Sequence, residues 1–208
     1  MVWAALALSG MALAAAKKEA PVDADAAWQP DARMLANLRK TCGDSSPNPG
    51  ECLVRQMESV ASPAAVAFTR SIQNEGWLRD FRKVARVDIA ACEYPFRANQ
   101  NQAYLLVNGT PPLVDVDNLQ KLSKSELQDN TGWSKLIAQS PRAELFPGDR
   151  GGVNDPLAVL YVDGSQEFVV AYKVLDGCHA CAQLGVAFLG FDFNPKGRFT
   201  GMEFLDLD

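Results

Sequence analysis

The side chains best suited to chemistry stand together near the C-terminus, in the stretch VLDGCHACAQLGVAF at 174–188. It places His179, the single histidine of the chain, between Cys178 and Cys181. Four chemistries use such residues. A structural zinc site takes four ligands; Cys178, His179 and Cys181 offer three at most, two of them adjacent, and the chain has no second histidine. Haem attachment takes Cys-x-x-Cys-His, and Ala182 stands where that histidine belongs. A thioredoxin-like dithiol sits at a helix N-terminus, where the helix dipole lowers the thiol pKa. Here AQLGVAFLGF follows Cys181 and reads as a strand. The fourth chemistry is a disulfide closing a hairpin tip, since the ends of a tight turn lie within about 7 Å of each other, as a disulfide needs. So short a ring stabilises by only about 2 kcal/mol. Its use is to pre-order a protruding loop, Asp176, Gly177, Cys178, His179, Ala180 and Cys181, which then loses little entropy on binding.

The other cysteines agree with an oxidising compartment. Sequence neighbours pair Cys42 with Cys52 and Cys178 with Cys181, leaving Cys92 as a buried thiol in an apolar strand. The chain opens with MVWAALALSGMALAAA, an uncharged apolar run ending in small residues, which reads as a secretory signal over residues 1–16. The expected location is periplasmic or secreted, with no membrane span after signal cleavage.

Composition narrows the partners. An apolar fraction of 48% and a charged fraction of 22% belong to an ordinary folded chain. The net charge of −5 argues against nucleic acid and anionic lipid, which both select basic patches. It favours a basic macromolecule at long range.

Around the loop the pattern predicts an α+β fold, an antiparallel β-meander packed against helices. The expected divisions are a signal peptide over 1–16, a flexible lead-in over 17–30, an N-terminal helical and hairpin lobe over 31–117, and a second α+β domain over 118–208. A helix is expected over 31–40, then a polar loop, TCGDSSPNPGEC. Ser62 and Pro63 open a second helix that Gly76 would stop. VARVDIAACEYPF and QAYLLVNG read as a hairpin, and LVDVDN as an extended crossing. Asp115 and Asp117 alternate with valines, as on the solvent face of a strand. Arg97, Asn99, Asn101 and Gln102 form a polar turn that reads as solvated loop. SKSELQDNTGWSKLIAQSP is helical, with Thr131 as a cap. GDRGGVNDP at 148–156 lacks the lysine of a phosphate loop. LAVLYVDG, EFVVAYKVL, QLGVAFLGFDF and RFTGMEFL are the strands of the meander, turning at Asp163-Gly164, at the cysteine loop and at Asn194–Gly197.

The C-terminal half, from TGWSKLIAQS through YKVLDGCHACAQLGVAFLGFDFNPKGRFTGMEF, resembles the inhibitor of vertebrate lysozyme (Ivy) family of periplasmic proteins. The resemblance implies that a disulfide-closed loop enters a lysozyme cleft and that its histidine meets the catalytic carboxylates. By that likeness His179 is the inserted residue and Cys178–Cys181 the clamp. The loop here is two residues shorter than the family's, and its histidine comes first. The implied partner is a c-type lysozyme or an endogenous lytic muramidase. The expectation is therefore a binding protein without cofactor or metal, not an enzyme. Two readings compete with it: a thiol–disulfide oxidoreductase using Cys178 and Cys181, and a structural envelope module.

Overall fold

The computed structural model describes residues 20–43, 46–97, 101–117, 127, 129–146 and 155–208. The signal expected over 1–16, Asn99, and all but the end of the glycine-rich stretch at 148–156 lie outside them.

Three short α-helices come early in the described residues, each started by a side chain that satisfies a free N–H of the first turn. Asp31 caps α1 (Ala32–Cys42) by accepting from Met34 N at 2.7 Å. Asn48 caps α2 (Pro49–Met57), and Ser62 caps α3 (Pro63–Ser71); both helices carry proline in their first turn. The Cys42–Cys52 disulfide ties the end of α1 to α2 across 5.4 Å between Cα atoms. The polar loop expected over 41–52 is therefore confined to its middle, because Asn48-Pro49 starts a helix inside it. α3 stops at Ser71, short of Gly76, because Gln73 and Asn74 take left-handed backbone angles (φ +61° and +65°). The lead-in is described from residue 20 onward. It forms a 3-10 turn at Ala24–Ala26 and buries Trp28 edge-on against Trp77, ring centres 5.2 Å apart.

Two antiparallel sheets follow, and with the helices they make the α+β fold expected. The first, in order β1 (Trp77–Arg82), β2 (Asp88–Glu93), β3 (Gln102–Val107) and β4 (Leu113–Asp115), contains the expected hairpin. β1 is a strand that the sequence reading left unassigned. The second holds β5 (Ala143–Phe146), β6 (Leu157–Leu160), β7 (Gln166–Asp176), β8 (Gln183–Phe193) and β9 (Phe199–Leu207). Within it β5 and β6 share one edge of β7, and β8 and β9 continue the meander. Before it runs α4 (Thr131–Gln139), whose cap is Asn130, not Thr131: the Asn130 amide oxygen accepts from Trp133 N at 3.0 Å.

Strand alternation decides where the core sits. Ile89, Leu106 and Val114 of the first sheet meet Phe168, Val170, Tyr172, Leu189 and Phe191 of the second in one buried cluster. Leu78, Cys92 and Leu105 face the other way, onto Phe68 of α3 and Ile72 at its C-terminal cap. The layers are thus helices, first sheet, second sheet. Two buried polar groups join the sheets. Gln166 accepts from Arg86 N and Val87 N and donates to Val87 O, while the Tyr172 hydroxyl donates to Val116 O at 2.5 Å.

Asp115 and Asp117 depart from the solvent face expected for them. Val114 and Val116 are buried as the alternation requires, but the two carboxylates are themselves half-buried. Burial pushes the Asp117 carboxyl up to about 7, with the Asp115 charge adding to the effect. Such a group keeps its proton in the native state to higher pH than in the unfolded chain. The native state therefore binds more protons between about pH 4 and 7, and stability declines as pH rises through that window. Thermal melts of Asp117→Asn will show a smaller fall in Tm across it than the wild type; an identical slope contradicts the assignment. Phe191→Ala, in the centre of the inter-sheet core, will cost about 3–5 kcal/mol by urea unfolding.

Candidate functional site

β7 and β8 each run eleven residues and pair antiparallel from Gln166–Phe193 at one end to Leu175–Gln183 at the other. The cysteine loop is the apex of this hairpin. β5 flanks β7 as far as Asp176, so residues 177–182 alone pass beyond the neighbouring strand.

Each residue of the apex has a local reason for its place. Asp176 N donates to Ala182 O at 3.0 Å, the last rung of the ladder. Its carboxylate accepts from the Arg142 guanidinium at 2.8 Å, an ion pair at the foot of β5. Gly177 has φ +81°, where a side chain is strained, and a Cβ there would also crowd Arg142. Cys181 N donates to Cys178 O at 3.0 Å, which closes a tight turn. The disulfide spans the same turn with Cα atoms 5.1 Å apart. Cys178, His179 and Ala180 are exposed. The exposed imidazole has a partner, however. It meets the ring of Phe146 edge to face, centres 4.6 Å apart, an arrangement the aromatic quadrupole favours.

The sequence-predicted loop residues are therefore brought together, both cysteine pairs are at disulfide distance, and Cys92 is buried. The sulfurs lie between two strands, not at the start of a helix, so no helix dipole acts on them. Two contributors were missed. Phe146 and Arg142 belong to or abut β5, whose four residues, AELF, carry too little periodicity to mark a strand; its pairing with β7 defines it. The polar turn near 97–102 is self-satisfied in its described part. Arg97 pairs with Glu75 at 2.5 Å and lies over the Tyr94 ring, Asn101 donates to Tyr94 O and Arg97 O, and Gln102 donates to Glu93.

A second polar group lies on the face of the second sheet turned away from the core. Glu167, Asp192 and Glu203 bring carboxylate oxygens within 4.8 Å of one another, and the Tyr161 hydroxyl donates to Glu167 at 2.5 Å. Burial and the neighbouring charges of Glu203 and Glu167 raise the Asp192 carboxyl, and the bond to Glu167 pushes the Tyr161 phenol up to about 12. These oxygens are of the hard type that takes a divalent cation. Apart from their convergence, nothing in the described residues points to a bound ion.

Thiol labelling checks the loop chemistry. Under native, non-reducing conditions no cysteine will react with iodoacetamide. Denaturation without reductant will expose one thiol, Cys92, whose ionisation burial opposes in the folded state. Labelling of Cys178 or Cys181 in the native protein without reductant contradicts the closed ring.

No protein-family model, no curated protein and no solved structure matches this chain.

Proposed function

We propose that this chain is an exported binding protein that recognises a lysozyme-type muramidase through the disulfide-closed loop 178–181. The observation that supports this reading is an exposed imidazole on a covalently closed turn at the tip of a long, otherwise conventional hairpin. A ring that served only to staple the turn has no need of His179, and a redox dithiol gains nothing from two flanking strands.

A muramidase cleft carries two carboxyl groups about the scissile bond. An imidazole N–H donates to such a carboxylate, and the imidazolium form adds opposite charge. Occupying that position blocks the approach of the glycan. The turn arrives already ordered, by the disulfide, by the Cys181–Cys178 hydrogen bond and by the Phe146 contact, so little rotamer entropy remains to be lost. The chain's net charge of −5 favours encounter with the basic surface of animal lysozymes. Two expected disulfides fit an oxidising compartment, and among the described residues no helix is long and apolar enough to cross a membrane.

The test is turbidimetric lysis of bacterial cell walls by a c-type lysozyme. The purified protein will slow lysis at micromolar concentration. His179→Ala will weaken inhibition about tenfold or more, the scale of one hydrogen bond to a charged group. Unimpeded lysis removes the reading.

A further inference from the structure

The loop passes beyond β5 by a few residues only, so a partner that touches His179 must also come close to the sheet beside it. We infer that the outward face of the second sheet is a docking surface for a cationic protein, continuous with the loop; the inference rests on the muramidase reading above for its partner.

Strand register defines that face. Leu157, Val169 and Gly190 lie opposite one another across β6, β7 and β8, and the next rows pair Ala171 with Phe188 and Lys173 with Val186. Phe146 faces Lys173 from β5 and carries the imidazole of His179. A mainly apolar stripe, interrupted by Lys173 and buried at Ala171 and Gly190, therefore runs from Leu157 across the sheet to the loop. None of Leu157, Val169, Val186, Phe188 or Phe146 belongs to a core cluster. Leu157 is 65% exposed, and Leu205, at the β8–β9 bulge, is 37% exposed. Among the described residues no helix or strand packs on this side.

Charge selects the occupant. The five strands hold Glu144, Glu167, Asp176, Asp192, Glu203 and Asp206 against one cation, Lys173. Glu144, Glu203 and Asp206 are exposed, and they border the stripe. An apolar centre with an acidic border is the complement of a basic protein surface. A second copy of this chain would set the same carboxylates against each other. The surface is therefore built for a positively charged partner.

The experiment measures binding of immobilised c-type lysozyme by wild type, by His179→Ala and by the double variant Glu203→Lys/Asp206→Lys. Both reversed residues are exposed, and an unchanged Tm will confirm that the variant folds. The double variant will bind about tenfold or more weakly, and its affinity will depend less steeply on salt. That loss supports the docking surface whatever His179→Ala does. Unchanged affinity and salt slope in the double variant overturn it, even where His179→Ala binds weakly and the loop reading survives. Absence of any wild-type binding overturns both.

Discussion

Burial of one face of the β7–β8 hairpin is the constraint on which the rest depends. Phe168, Val170, Tyr172 and Val174 alternate with outward residues along β7, and Ala187, Leu189, Phe191 and Phe193 do so along β8. A slip of one residue would turn all of these to the other side of the sheet. The register is therefore held from Gln166–Phe193 to Val174–Gly185, and after a one-residue shift at Leu184 the ladder ends at Leu175–Gln183, which sets the position of the apex. The loop does not need to find its own place. It is delivered by ten paired residues on either side, and the disulfide then closes the last four.

The same burial separates the two surfaces of the second sheet. The inner face is committed to the first sheet, and the Gln166 and Tyr172 hydrogen bonds lock that contact. Each leaves a buried polar atom unsatisfied if its partner moves, a penalty of about 1–3 kcal/mol. Among the described residues no helix or strand packs on the outer face, whose groups are mainly apolar and acidic. His179, resting on Phe146, sits where that face meets the apex. Fold and proposed function thus divide one sheet between them, stability on one side and recognition on the other.

Much of this was legible in the sequence, and the exceptions have physical causes. β8 reads directly because QLGVAFLGFDF is a long apolar run rich in aromatic residues, and its bounds coincide with those of the strand. The loop reads because cysteine and histidine are scarce and adjacent. α2 was hidden by Pro49-Gly50, which resembles a turn; the capping signature of Asn48 with Glu51 three residues on was the usable signal. β5 has no such signal, since four residues become a strand only by pairing with β7. Phe146, and with it the aromatic support of His179, was therefore beyond sequence reasoning. Asp115 and Asp117 were misplaced for a related reason: alternation names the side of a strand, but not whether that side is covered.

The central claim is that a covalent ring at the hairpin apex holds one imidazole in a fixed, outward position. Backbone 15N relaxation of residues 177–182, in oxidised and in reduced protein, tests it most directly. The account predicts order parameters in the oxidised loop close to those of β7 and β8, and a fall confined to the loop on reduction. A loop that is mobile with the disulfide intact, or equally rigid without it, contradicts the account.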